Sequence, residues 1–167
     1  GLVLICSDTG LCGTYNERVL GVAEKFLSEY PSAIMVTIGK KAQRRMIRRN
    51  IPVRRSVLDW GGRFDPSQVE GIAKWLEKLY LEGTVSSWWV AYTQFKSALS
   101  WKAAVELFLP LERPPQVEYP EKIIAEPNPK QVADALLERF VRSRFTRVIL
   151  EAFTAEHSAR MMAMRNA

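Results

Sequence analysis

From Pro129 to the last residue, Ala167, the sequence contains no glycine and no further proline, and nothing else in the chain restricts its fold as strongly. Such a run permits one continuous helix, about 57 Å long at about 1.5 Å per residue, which exceeds the width of a small domain. Asn128 and Pro129 supply the N-cap and first-turn proline that start it. Within the run, Val141, Phe145, Val148, Ala152, Ala155, Ala159, Met162 and Asn166 alternate steps of four and three, the a/d spacing of a coiled coil. Val141, Phe145 and Met162 each forgo about 1.5–3 kcal/mol if left wet, so something should lie along this stripe. Its central alanines let a second helix come close. Breakers at Gly21, Gly39, Pro52, Gly62, Gly71 and Gly83 leave no other helix of that length. The expectation is therefore a partner rod from a longer parent chain, cut at both ends. The competing reading is a helix docked on its own domain.

Upstream, apolar runs alternate with helical spacing. Leu2 to Cys6 reads as a strand covered on both faces, broken by Ser7-Asp8-Thr9-Gly10-Leu11-Cys12-Gly13. Tyr15 to Tyr30 has helical periodicity, Ala33 to Ile38 is a second strand, and Lys40 to Asn50 a short basic helix. Pro52 to Val57 is a third strand. Asp65 and Pro66 open a helix that runs to Gly83, Ser87 to Tyr92 is a fourth strand, and Ser100 to Leu109 an edge strand ended by Pro110. A short strand is expected at Lys122 to Ala125 within a proline-rich loop. This order predicts an α/β, Rossmann-like, mainly parallel sheet flanked by helices, over residues 1–128, with the long helix over residues 129–167.

At 167 residues the chain suits one domain with a proper core plus the helix. No apolar run reaches membrane-spanning length. A net charge of +6 favours acidic partners in general. Cys6 and Cys12 form no CxxC pair and His157 is the one histidine, so no zinc site is expected and the thiols read as reduced. The Gly10–Gly13 turn follows a strand, where phosphates bind, but it lacks the third glycine of a dinucleotide fingerprint and the Lys-Ser/Thr of a phosphate loop. A phosphate-handling enzyme using Asp8 and this turn is one alternative function. A nucleic-acid binder using the basic rows of residues 40–49 is another, although no aromatic interleaves them. Neither supplies a convincing active site, and no cofactor is expected.

Two segments are more specific. Ser7-Asp8-Thr9-Gly10-Leu11-Cys12-Gly13-Thr14-Tyr15-Asn16 and Glu156-His157-Ser158-Ala159-Arg160-Met161-Met162-Ala163-Met164-Arg165-Asn166-Ala167 resemble the two signature segments of the gamma subunit of F-type ATP synthases. Phe95-Lys96-Ser97-Ala98-Leu99-Ser100 and Leu136-Leu137-Glu138-Arg139-Phe140-Val141 lie between them and look similar too. Thr9 stands where that family usually carries a basic residue. The resemblance implies a non-catalytic rotor shaft with an α/β foot, coupling proton- or sodium-driven ring rotation to ATP synthesis or hydrolysis. It implies as partners the catalytic alpha/beta hexamer, an epsilon-type subunit and the membrane c-ring, with no nucleic acid. The implied location is peripheral, on the cytoplasmic face of a bacterial inner membrane, or on the matrix side of an organelle.

Overall fold

The computed structural model of the chain describes residues 1–112, 126 and 128–166. The expected strand at Lys122–Ala125 lies outside them. Strand β1 (Leu2–Ile5) is the centre of a five-stranded sheet in the order β3-β2-β1-β4-β5. It is flanked by β2 (Met35–Ile38) and β4 (Trp88–Ser97), both parallel to it, and β3 (Val53–Val57) extends the parallel set beyond β2. Strand β5 (Ser100–Leu109) returns antiparallel along β4 as the edge. The fourth strand continues five residues past Tyr92, to Ser97, because pairing with β5 makes a hairpin of the two. Polar Gln94, Lys96 and Ser97 hide that continuation in the sequence.

Alternation along β1 builds two layers. Leu2 and Leu4 pack with Met35 against α1 (Tyr15–Glu29) and α2 (Lys40–Arg48), through Val19, Ala23, Phe26, Ala42 and Met46. Val3 and Ile5 pack with Val36 and Ile38 against α3 (Pro66–Leu81) and α4 (Pro129–Arg165). The two predicted caps are formed: Asp65 accepts from the amides of Ser67 and Gln68, and Asn128 accepts from Gln131 N at 2.9 Å. Gly39, between β2 and α2, has φ +93°, and a Cβ there would lie 2.1 Å from the carbonyl oxygen of Cys6. Only glycine lets the β2–α2 turn approach β1 so closely.

The apolar stripe of α4 requires a correction. Val141, Phe145, Val148 and Ala152 are each under 5 % exposed and belong to the same core as Val3, Ile5 and Phe108. Ala155 and Ala159 pack on Cys12 and Tyr15. The chain's own domain therefore covers this stripe from Val141 to Ala159, and no external rod fits there. Met162 is half-buried, and Asn166 is the exposed C-cap. The physical reason is that four-and-three spacing marks one apolar face of a helix and is blind to whether a helix or a sheet covers it. Two features remain outside the core. The first turns of α4 project, with Leu136, Leu137 and Phe140 more than half exposed, and the domain is first met where Glu138 comes within 3.9 Å of Lys74 on α3. On the side away from the sheet, Leu150, Met161 and Met164 are also open.

Candidate functional site

The two signature segments, some 150 residues apart, meet at one place. It is the turn after β1, the point where strand order reverses between β1 and β4 and where open α/β sheets ordinarily take their ligands. The turn is tied internally. Ser7 N donates to Asn16 Oδ1 at 3.0 Å, and Asn16 Nδ2 donates back to Ser7 Oγ at 2.8 Å and reaches Cys12 Sγ at 3.0 Å. Leu11, at φ +61°, is turned out to solvent with 76 % of its surface exposed. Gly13, at φ +55°, passes beside Ala163 of α4.

Asp8 is the node of the next layer. Its Oδ1 accepts from Lys40 N at 3.0 Å and Asp59 N at 3.2 Å, and its Oδ2 accepts from Gly61 N at 2.7 Å. One carboxylate thus joins the ends of three parallel strands. The loop it holds carries Trp60, whose buried ring meets Phe153 of α4 edge-on at 5.6 Å. Gly62 follows, at φ +73°, with its carbonyl 3.2 Å from His157 Nε2. The positive φ favours glycine there, and a Cβ on Gly62 would stand 2.9 Å from that nitrogen and push the imidazole aside.

From the helix side, Arg160 reaches back to the turn. Its guanidinium donates to Thr9 Oγ1 at 2.8 Å, to the Gly10 carbonyl at 3.4 Å, and to Glu156 Oε1 at 2.5 Å. Glu156 is buried, and this pair neutralises its charge. Tyr15 OH donates to the Ala152 carbonyl at 3.0 Å, from a site so buried that desolvation pushes its phenol well above the ordinary range. Burial likewise pushes the Cys6 thiol up, so it is a core side chain and not a nucleophile.

These contacts speak against the phosphate-enzyme reading. Both oxygens of Asp8 are occupied by backbone amides, and the crevice beside β1 is filled by Ala155 and Ala159 of α4 packed on Cys12 and Tyr15. Among the described residues no group of three or more His, Cys, Asp or Glu stands together as a metal site. The junction is built to fix the long helix to the sheet, in azimuth and along its axis. Of the expected site residues, Ser7, Asp8, Gly10, Cys12, Gly13, Asn16, Glu156, His157 and Arg160 converge there. Leu11, Met161 and Asn166 are exposed and stand outside the contact network. Spacing did not reveal Tyr15, Trp60 or Phe153 as members of the junction. The Trp60-Gly61-Gly62 triplet was the available signal, since paired glycines beside a large ring mark a tight approach.

The family model described as ATP synthase matches residues 1–167. The ATP synthase gamma chain of Moorella thermoacetica is 36 % identical over 168 residues, covering all of this chain and 60 % of that protein. That of Protochlamydia amoebophila is 31 % identical over 171 residues, with the same coverage of each. The chain thus spans about three-fifths of the length of these curated relatives. Among solved structures, the central stalk and c-ring of the Tetrahymena thermophila mitochondrial ATP synthase includes a chain of the same fold. It matches with a TM-score of 0.76 and 22 % identity, over 99 % of this chain and 74 % of that one. With the family model matched from the first residue to the last, and both signature segments meeting in one junction, the chain belongs to the ATP synthase family, and the relatives it matches are gamma chains.

Proposed function

We propose that this chain is the foot and lower shaft of a rotor, a gamma subunit that carries torque between an ion-driven ring and the nucleotide sites of an F-type ATP synthase and does no chemistry itself. The observation that carries the reading is α4: a 37-residue helix, about 55 Å long, whose middle is locked into an α/β core while its first turns project. A torque element needs a stiff rod that cannot turn within its mount. The mount here is made of Asp8, Glu156, Arg160, Tyr15 and the Trp60 loop, each acting on a different part of the helix or the turn beneath it. In this reading residues 1–128 form the foot and residues 129–167 the start of the shaft. The catalytic alpha/beta hexamer, an epsilon-type subunit and the c-ring are its partners.

A second rod of the shaft lies on the side of α4 that its own domain leaves open. Leu150, with Arg147 and Thr154, faces a shallow groove closed at one side by Phe95. No helix among the described residues is long and apolar enough to cross a membrane. The proposed location is peripheral, on the cytoplasmic face of a bacterial inner membrane, and what supports it is the bacterial source of the gamma chains it matches.

The test is rotation. A fluorophore on exposed Leu99→Cys, in the intact complex with its hexamer fixed to a surface, is expected to turn in steps on addition of ATP. A label that stays still while the complex hydrolyses ATP refutes the rotor reading.

A further inference from the structure

On the sheet face away from α4, a groove of about 180 Å³ opens between α1 and α2, lined by Asn16, Glu17 and Leu20 on α1 and by Lys41, Arg44, Arg45 and Arg48 on α2. Several cations of this helix are already neutralised. Lys40 pairs with Asp59, Arg45 with Glu17 and Glu24, and Arg49 with Glu24. Lys41, Arg44 and Arg48 have no ion pair among the described residues. Standing at i, i+3 and i+7, they share one face of α2 and span about 10.5 Å. The row begins at the signature turn, where a Cβ on Gly10 would lie 3.9 Å from the Lys41 ammonium.

Three uncompensated cations on one helical face repel one another, and the fold holds them there. The length of the row selects the anion. One phosphate is satisfied by cations converging within a few ångströms, whereas a row of about 10.5 Å matches carboxylates set one helical turn apart. No aromatic residue of α2 offers a base a stacking surface. Ile47, the exposed apolar residue of α2, points about 90° away from the row, so the cationic face carries nothing to insert into a lipid surface. We propose that the groove between α1 and α2 docks an acidic helical segment of a partner protein, whose carboxylates recur at i, i+3 or i+4, and i+7 to meet Lys41, Arg44 and Arg48.

The probe is a helical alanine-based peptide with glutamates at i, i+3 and i+7, compared with one of the same composition and scrambled spacing. Titrated into the isotope-labelled 167-residue chain at low salt, the matched peptide is expected to shift amides of Asn16–Leu20 and Lys41–Arg48. It should bind about tenfold tighter than the scrambled one, with affinity that falls as salt rises. Arg44→Glu with Arg48→Glu should weaken binding at least about tenfold, while Arg54→Glu, on β3, should leave it unchanged. If the double charge reversal does not fold by circular dichroism, Arg44→Gln with Arg48→Gln serves in its place. Equal affinity for the two peptides, shifts confined to another surface, or no binding overturns the proposal. So does tighter binding of duplex DNA or of phosphatidylglycerol vesicles, or full displacement of the peptide by inorganic phosphate.

Discussion

Phe145→Ala separates a stripe that faces its own sheet from one that faces an absent rod. Phe145 is fully buried, with its ring 5.5 Å from that of Phe108 on β5, and it lies in the core that contains Val3 and Ile5. Truncating a buried phenylalanine costs about 3–5 kcal/mol, because the transfer energy of the ring is lost and the cavity closes only in part. A domain of this size has about 5–15 kcal/mol to lose, so the variant should stay folded but unfold early. For 167 residues the unfolding entropy is about 0.35 kcal/mol/K, which converts the loss to a fall in Tm of about 9–14 °C. The control is Phe140→Ala, on the projecting part of the same helix, where the residue is 56 % exposed and the expected change is under about 1 kcal/mol. Urea unfolding of the chain, followed by far-UV circular dichroism and tryptophan fluorescence, reads both. If Phe145→Ala unfolds within about 0.5 kcal/mol of the parent, the stripe is not covered by the sheet and the packing argument fails.

The other junction residues carry their own expectations. Arg160→Ala strands the buried carboxylate of Glu156 and should cost about 3–5 kcal/mol, and adding Glu156→Gln should restore part of that loss in a double-mutant cycle of urea midpoints. Asp8→Ala removes the acceptor shared by three backbone amides and should cost about 2–3 kcal/mol, with faster amide exchange at Lys40, Asp59 and Gly61. Tyr15→Phe should cost about 0.5–1.5 kcal/mol, because the Ala152 carbonyl keeps its helical bond. The Asp65 cap sets a pH dependence. Hydrogen bonds from the Ser67 side chain and the Gln68 amide hold its carboxyl below the ordinary value of 3.8, so its contribution is present above that pH and is lost as pH falls through the lower, folded-state value. Asp65→Ala should therefore lower Tm at neutral pH, and the gap to the parent should shrink in acid.

Much of the architecture was legible because it is local. The apolar run of β1, the caps at Asp65 and Asn128, the bare length of α4 and the edge position of β5 before Pro110 each follow from a few neighbouring residues. The signature segments were legible as motifs, and the basic row of α2 as a pattern of charge. The continuation of β4 to Ser97 was not, since its polar half becomes a strand only by pairing with β5. Nor was the work of Asp8, whose three donors lie 32 to 53 residues away in the chain.

By itself the sequence determined that a long uninterrupted helix with one apolar face ends this chain, since periodicity and the absence of breakers are properties of the covalent order. Only the tertiary structure decided what that face touches. Burial depends on which surfaces the fold brings within van der Waals reach. Here the sheet and the turn after β1 reach Val141, Phe145, Val148, Ala152, Ala155 and Ala159, leaving the opposite side and the first turns of the helix for other contacts.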